Sequence, residues 1–305
     1  MAAQDFSQQN QKDLKRVRWE SVHEDRKDSC KRVWLQPEHN VSKQEQTMPV
    51  PQTKFVECLQ DICRELEFNV LGPLMHNFLF NSESCKMLGS GTYGTCYLAS
   101  VSSSRWVTKS CQGSSMCVRS LVQEMRALHA LQDIPGVQKI IAVCPEYLTI
   151  VTEYAGDTLE TLTKKRVLSR LQTLEILSQV CNILIGIHSH GWIHLDIKAN
   201  NICIKRTREG LRVTIIDYGL AVPLGHKVNF PDGAKAHHIA PEVLRNQPAT
   251  AQADYFSIAR LITYLEILCN CELQVWIQQA LFMDVNRRPN LKVLQELLRS
   301  AINKH

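Results

Sequence analysis

Two short polar runs constrain this chain more than any other feature of its sequence. They are Ile193-His194-Leu195-Asp196-Ile197-Lys198-Ala199-Asn200-Asn201-Ile202 and Ile215-Ile216-Asp217-Tyr218-Gly219. The side-chain oxygens of Asn201 and Asp217 are the hard ligands that magnesium prefers. The runs also contain Asp196, so that three acidic or amide side chains whose types suit a single site lie within 21 positions of one another.

A glycine-rich run precedes them, with strand-like residues on both sides: Leu88-Gly89-Ser90-Gly91-Thr92-Tyr93-Gly94-Thr95-Cys96. Glycines let a hairpin backbone approach phosphate groups closely and direct its N–H groups at them. A purely structural hairpin explains the run equally well when it is taken alone. A dinucleotide-binding fingerprint would need a helix directly after the glycines, whereas residues 95–100 look like another strand.

A lysine and a glutamate follow the glycine run in an informative order. Lys109 ends the strand-like segment Trp106-Val107-Thr108-Lys109, and Glu124 lies within a helical pattern over residues 121–131. Either residue alone would be an ordinary surface residue. Their order after the glycines favours a lysine beside phosphates that is held by a helical glutamate.

Together these patterns resemble the eukaryotic protein kinases of the serine/threonine branch, whose catalytic loop H-x-D-x-K-x-x-N is followed by D-F-G. The resemblance covers residues 82–300 and includes Ala240-Pro241-Glu242, Asp254 at the start of a central helix, and Arg287-Arg288-Pro289 with an arginine partner for Glu242. It implies a bilobal α+β fold with a small β-rich N-lobe and a larger helical C-lobe. Only 46 positions separate Glu242 from Arg288, so the segment before Arg288 is expected to be shortened, a compaction that resembles divergent viral kinases.

The resemblance implies an ATP-dependent enzyme that transfers the γ-phosphoryl group to serine or threonine hydroxyls of protein substrates, with Mg²⁺ or Mn²⁺. Asp196 would orient the acceptor and take its proton, and Lys198 would steady the transferring phosphate. Lys109, paired with Glu124, would contact the α/β-phosphates. Asn201 and Asp217 would hold the metal.

The nucleotide site is also carried over from the family, position by position. Thr152 and the residues after it look like the gatekeeper and hinge, and Cys96 and Val107 replace the usual valine and alanine against adenine. The implied nucleotide-binding residues are Leu88, Gly89, Ser90, Gly91, Thr92, Tyr93, Gly94, Cys96, Val107, Lys109, Thr152, Glu153 and Ala155.

The chain also departs from the family pattern. Leu195 stands where many kinases have the arginine that grips a phosphorylated activation segment, and residues 219–242 contain no Ser, Thr or Tyr. We expect an active arrangement without phosphorylation of that segment. Lys235 stands near the place of a threonine that contacts the catalytic aspartate and lysine. An inactive, nucleotide-binding scaffold is therefore the alternative function, and a small-molecule kinase such as an aminoglycoside phosphotransferase is a weaker one.

The organisation along the chain follows from composition and periodicity. Residues 1–54 are polar and predict a disordered segment. Residues 55–80 predict an extra helical segment that packs on the kinase-like domain. The alternative interpretation is that the N-terminal segment or residues 55–70 contact a partner protein. Residues 81–156 and 157–305 correspond to the N-lobe with its hinge and to the C-lobe. Strands are predicted over 86–99, 105–110 and 148–154, and helices over 171–188 and 254–268.

Composition places the protein among intracellular globular proteins, cytoplasmic or nuclear. The formal charge of +5 is spread along the chain, which disfavours nucleic acid as a partner. No apolar run is long enough to cross a membrane, and residues 1–11 lack a signal core. The twelve cysteines include no C-x-x-C pair and are interpreted as reduced. The basic pairs Lys15/Arg16 and Lys31/Arg32 are a candidate nuclear-import signal.

Overall fold

The computed structural model describes residues 52–80, 85–91, 94–101, 104–231, 233–267 and 271–304. The described chain divides into two compact units. The first comprises the residues up to Ser104 with Thr108–Val118 and Ile141–Val151, and the second comprises Arg105–Val107, Arg119–Ile140 and the residues from Thr152 onward. Nearly all of the segment predicted to be disordered, and the basic pairs within it, lie outside the described residues.

The first unit begins with two helices, α1 (Gln52–Glu65) and α2 (Pro73–Phe80). In α1 the apolar residues Phe55, Leu59 and Ile62 recur at helical spacing, and all three are buried. The helix packs on a 3₁₀ turn, Pro145–Tyr147. The predicted helix is therefore present, and its apolar face is covered within its own unit.

A five-stranded sheet has the order β1-β2-β3-β5-β4. Its strands are β1 (Lys86–Gly91), β2 (Gly94–Val101), β3 (Ser104–Ser110), β4 (Ile140–Cys144) and β5 (Thr149–Glu153). The predicted run over 86–99 is two antiparallel strands, because the chain reverses between Gly91 and Gly94, which are paired in register. Helix α3 (Ser115–Ala130) follows β3 and covers the helical pattern predicted over 121–131.

The second unit is mainly helical. Its elements before the D-Y-G run are β6 (Asp157–Thr158), α4 (Leu159–Lys164), α5 (Arg170–Ser189), β7 (Trp192–Ile193), a 3₁₀ turn (Ala199–Asn201), β8 (Ile202–Thr207) and β9 (Gly210–Ile215). Those after it are β10 (Val222–Pro223), α6 (Pro241–Leu244), α7 (Ala251–Tyr264), α8 (Cys271–Ala280), a 3₁₀ turn (Val285–Arg287) and α9 (Leu291–Asn303). The predicted α+β class, with a β-sheet N-terminal region and a helical C-terminal region, is confirmed.

Helix α5 runs through the core of the second unit. Ser169 caps its N-terminus in a reciprocal capping box with Gln172, and buried apolar side chains lie on several sides of the helix. Helix α9 packs on α5 and buries Leu291, Leu294 and Leu298 at helical spacing. Helix α5 therefore has a fixed position in the core, and the loop that contains Asp196 follows it in the chain after β7.

The segment between Glu242 and Arg288 differs in detail from the prediction. Helix α7 begins at Ala251, so Asp254 lies in its first turn, and it ends at Tyr264 rather than at residue 268. Glu266 adopts a positive φ of 50°, a left-handed conformation that ends a helix. The Arg288 guanidinium donates to both carboxylate oxygens of Glu242 at 2.7 and 2.8 Å. The predicted arginine partner is therefore Arg288.

Among the helices of the described ranges, none is both long and apolar enough to cross a bilayer.

Candidate active site

A buried aspartate on α7 supports the loop that follows β7. Asp254 accepts hydrogen bonds from the backbone N–H groups of His194 (3.0 Å) and Leu195 (2.9 Å), and its carboxylate also lies 2.8 Å from His188 Nε2. Burial by itself raises the pKa of Asp254, but the hydrogen bond and charge of His188, together with His194, hold that pKa below its ordinary value. Leu195 has a left-handed φ of 65°. Asp254 therefore fixes a strained turn directly before Asp196.

Asp196 lies at the centre of a hydrogen-bond cluster and is only 6% exposed. Its Oδ1 accepts from Lys198 Nζ (3.0 Å) and His238 Nε2 (2.7 Å), and its Oδ2 accepts from Lys198 Nζ (2.9 Å) and Asn201 Nδ2 (2.7 Å). Burial raises the pKa of Asp196, but the bonds from His238 and Lys198 outweigh burial, so that the pKa is lowered overall. The carboxylate is therefore ionised at neutral pH and can accept a proton.

His194 joins the two polar runs through its ring. Its Nδ1 accepts from the backbone N–H of Asp196 at 3.2 Å, so its Nε2 carries the proton and donates to the carbonyl of Ile216 at 3.3 Å. The ring also meets Tyr218 edge-on, with centroids 4.7 Å apart. Burial lowers the pKa of His194 despite three nearby carboxylates. A neutral imidazole is what this pair of bonds requires.

Strand pairing brings the candidate metal ligands together. Ile202 of β8 is in register with Ile215 of β9, and the N–H of Ile216 donates to the carbonyl of Asn201 at 2.9 Å. The Asn201 amide nitrogen is occupied by Asp196, which leaves the amide oxygen as its acceptor. Asp217 follows with a strained φ of 63°. An amide oxygen and a carboxylate at the end of one hairpin are a donor set that suits Mg²⁺.

Helix α3 is attached to the backbone after Asp217 by two side chains. Ser120 Oγ donates to the carbonyl of Gly219 at 3.3 Å, and Gln123 Nε2 donates to the carbonyl of Ala221 at 2.6 Å. A Cβ atom built at Gly219 would lie 2.3 Å from Ser120 Oγ. The position therefore requires glycine while Ser120 keeps its bond.

The three glycines of the glycine-rich run have different surroundings within the first unit. A Cβ atom at Gly94 would lie 2.3 Å from the carbonyl oxygen of Ser110, so this glycine permits a close backbone contact. Gly89 and Gly91 have open space where a Cβ would project, which leaves room for a ligand. Leu88 is exposed, and Ser90 bonds to Thr95 across the hairpin at 3.0 Å. Thr92 and Tyr93 lie outside the described residues.

The remaining predicted nucleotide residues lie on strands of the sheet or, in the case of Ala155, shortly after one. Cys96 is half-buried on β2, and Val107 and Lys109 are half-buried on β3. The Thr152 hydroxyl accepts from Gln138 Nε2 at 3.0 Å and lies 3.5 Å from the carbonyl of Val107. Glu153 is exposed at the end of β5, and Ala155, after β5, is half-buried. The binding roles of these residues stay predictions.

Glu124 is buried on α3 in the second unit, whereas Lys109 belongs to the first. The predicted ion pair between Lys109 and Glu124 therefore also stays a prediction.

The resemblance gives Lys235 the approximate place of a threonine that contacts the catalytic aspartate in many kinases, and the structure places His238 beside Asp196. Lys235 is exposed, whereas His238 Nε2 lies 2.7 Å from Asp196 Oδ1. The reason is the backbone path, because the carbonyl of His238 accepts a 2.6 Å bond from Ser257 Oγ and Ile239 is buried beside it. The adjacent pair His237-His238, just before Ala240, was the available sequence signal.

Comparisons with known proteins show which family this sequence matches. The family model for the protein kinase domain matches residues 82–293. Calcium-dependent protein kinase 5 of Oryza sativa subsp. japonica is 26% identical over 192 residues, covering 59% of this chain and 35% of the relative. Probable serine/threonine-protein kinase 2 of Plasmodium falciparum is 26% identical over 208 residues, covering 66% and 40%. Serine/threonine-protein kinase PKH3 of Eremothecium gossypii is 28% identical over 207 residues, covering 61% and 28%. The matched region thus spans less than half of each relative.

Proposed function

Because the chain belongs to the protein kinase family, we propose that it transfers the γ-phosphoryl group of ATP to serine or threonine hydroxyls of protein substrates. The observation that carries this proposal is the ionised Asp196 carboxylate, bonded to both Lys198 and Asn201 in the loop beside Asp217. Phosphoryl transfer needs positioned charges and a proton acceptor more than covalent help. The second unit supplies both kinds of group.

The residues divide the work according to their chemistry. Asp196 orients the acceptor hydroxyl and takes its proton, and Lys198 carries a positive charge suited to the transferring phosphate. The Asn201 amide oxygen and the Asp217 carboxylate would hold Mg²⁺, which neutralises charge on the triphosphate when bound. Asp254 and His194 keep these side chains in place through the backbone bonds described above.

The substrate class within the proposal is serine or threonine. Lys198, two residues after the catalytic aspartate, is typical of that branch of the resemblance, and its ammonium bonds to Asp196 in the structure. Two of the similar proteins bear the name serine/threonine-protein kinase. Phosphoamino-acid analysis of labelled substrate would test this, and label on tyrosine would overturn it.

We also propose that activity does not require a phosphate on the activation segment. In place of an arginine that would grip phosphate, Leu195 is 1% exposed and belongs to an apolar cluster with residues of that segment. The other buried members of the cluster are Ile193, Val222, Ile239, Ala240, Val243, Ala249, Ala253 and Phe256. Apolar packing is an alternative means of ordering the segment.

Uncharged hydrogen bonds fasten the same segment at two further points. The N–H of Phe230 donates to Asn246 Oδ1 at 2.7 Å, and Asn246 Nδ2 donates back to the carbonyl of Phe230 at 3.3 Å. The N–H of Gly225 donates to the carbonyl of Ala249, and the N–H of Ala249 donates to the carbonyl of His226, both at 2.8 Å. These four hydrogen bonds hold the segment without any contribution from a phosphate group.

The central test uses purified full-length protein, labelled ATP, Mg²⁺ and a mixed peptide library. We expect transfer by the wild type and a loss of about a hundredfold or more in Asp196→Ala, because the proton acceptor is removed. Asp133→Ala, an exposed carboxylate of the same unit, is the matched control and should retain activity. Mg²⁺-dependent nucleotide binding with no transfer by the wild type would refute the enzyme and support the scaffold alternative.

The activation-segment proposal has its own test. Protein treated with phosphatase and checked by mass spectrometry should keep its activity within about twofold, because Leu195 and Asn246 order the segment without charge. Loss of activity together with a phosphate mapped inside the described kinase region would contradict it.

A further inference from the structure

Asp196 has no vacant acceptor site in this structure. A carboxylate offers about four lone-pair sites, and here Lys198 occupies one on each oxygen, His238 a second on Oδ1 and Asn201 a second on Oδ2. A substrate hydroxyl can donate to Asp196 only after one of these donors leaves. The identity of the donor that leaves decides which oxygen is presented and how firmly the carboxylate is held.

Lys198 is the donor best able to leave. Its side chain is 33% exposed, close to the 28% of His238, but its ammonium sits on a long flexible chain, whereas the His238 ring is attached through a single methylene. Asn201 is buried and donates both to the Asp196 carbonyl and to the carboxylate. Movement of Lys198 towards a phosphate charge would open one site on each oxygen of Asp196. The bond from His238 to Oδ1 and the bond from Asn201 to Oδ2 would then remain and hold one oxygen each.

His238 is held firmly enough to act as such a clamp. Its carbonyl accepts from Ser257 Oγ at 2.6 Å, and Ser257 itself is buried on α7, where it also bonds to Ala253. The following residue, Ile239, is buried in the apolar cluster with Leu195. The imidazole therefore extends towards Asp196 from a backbone that is fixed at the His238 carbonyl and at Ile239, with its Nε2 at 2.7 Å from Oδ1.

Resting on the proposed phosphoryl transfer, we propose that His238 is a positioning residue: its Nε2–H donates to Asp196 Oδ1 and holds the plane of the carboxylate while Lys198 moves to the phosphate. Without this bond the carboxylate is fixed on Oδ2 alone and can turn about its Cβ–Cγ bond. Productive orientation of the acceptor hydroxyl would then become rarer. Nucleotide binding does not require this bond.

The kinetic test compares four full-length variants with the wild type. His238→Ala should lower kcat about tenfold to a hundredfold, as expected for a misplaced reacting group, with the KM for ATP changed less than about twofold. His238→Gln retains an N–H donor of similar reach and should recover most of kcat. His237→Ala, the exposed neighbouring histidine, and Lys235→Ala, at the exposed position that the family comparison indicates, should both match the wild type.

Three kinetic outcomes would overturn the proposal. The first is a wild-type kcat in His238→Ala, and the second is a His238→Gln variant as slow as His238→Ala with both as stable as the wild type. The third is a loss in Lys235→Ala that equals the loss in His238→Ala, which would assign the positioning role to Lys235 instead.

A second measurement separates this proposal from the proposed function. In ¹⁵N-histidine NMR of the full-length protein, with the His238 signal assigned by its loss in His238→Gln, Nε2 should carry a proton and its shift should change in Asp196→Ala. An unprotonated His238 Nε2 would refute the contact even in an active enzyme. A wild type without transfer but with this signal would refute the phosphoryl-transfer proposal while leaving the contact established.

Discussion

Leu195→Arg restores the residue that many kinases carry before the catalytic aspartate, and it should destabilise this protein. Leu195 is 1% exposed in an apolar cluster whose members are all hydrophobic. Removing a fully buried leucine from such a site forfeits about 2 kcal/mol of apolar burial. A guanidinium without a counter-charge in the same space costs several kcal/mol more. We therefore expect a loss of about 4–6 kcal/mol, a large part of a typical total of about 5–15 kcal/mol.

The assay is urea unfolding of purified full-length protein, followed by circular dichroism. Leu195→Met is the matched control, because it keeps volume and apolarity and should cost less than about 1.5 kcal/mol. The midpoint of Leu195→Arg should fall well below that of Leu195→Met, and its phosphoryl transfer should fall with it. Treatment with an added kinase should not restore the activity of Leu195→Arg, since residues 219–242 offer no hydroxyl side chain to phosphorylate.

The reasoning would be refuted if Leu195→Arg unfolded within about 1 kcal/mol of Leu195→Met, which is close to the error of the extrapolation. An arginine tolerated there would have to reach water or a carboxylate. The apolar cluster could then not be what orders the activation segment.

Three further predictions concern other contacts. Glu242→Gln should cost about 3–5 kcal/mol in urea unfolding, because it leaves the buried Arg288 guanidinium without a counter-charge, and Arg288→Met added to it should recover part of the loss. Burial lowers the pKa of His76, so the unfolded state binds the proton more readily and stability should fall as pH drops below about 6.5. His76→Phe should reduce the difference between unfolding midpoints at pH 7.5 and 5.5, and an unchanged difference would contradict this. Gly219→Ala should lower kcat through its clash with Ser120 Oγ, and adding Ser120→Ala should restore it in part, whereas a double variant as slow as Gly219→Ala would show that the clash is not the cause.

The sequence predicted best those elements in which local pattern and tertiary packing agree. Helix α5 was expected over 171–188 and spans Arg170–Ser189, since its apolar residues and its capping box are both local signals. The end of α7 was placed late because residues up to 268 continue an apolar pattern, whereas the left-handed backbone at Glu266 ends the helix first. At this point the conformation of one residue, Glu266, decided where the helix ends, and the apolar periodicity of the sequence did not.

The candidate site was predictable in its chemistry and not in its contacts. Asp196, Asn201 and Asp217 were predicted from the resemblance of their runs to the kinase motifs, and strand pairing brings Asn201 next to Ile216. His238 could not be placed, because residues 219–240 have no periodicity that fixes their path. The resemblance indicated the neighbourhood of Lys235, whereas the anchoring of the backbone by Ser257 brings His238 to the carboxylate.

The two candidate site carboxylates, Asp196 and Asp217, both lie at or next to a strained backbone position. Leu195, directly before Asp196, and Asp217 itself both have left-handed φ values, 65° and 63°, and each such conformation costs about 1–3 kcal/mol in a non-glycine residue. Asp254 fixes the first position through two backbone N–H groups. His194 joins that position to the second, because its ring accepts from the N–H of Asp196 and donates to the carbonyl preceding Asp217. The geometry of the candidate proton acceptor and of the candidate metal ligand is thus maintained by one buried network, whose neutral His194 and ionised Asp254 must both keep their charge states for the site to hold its shape.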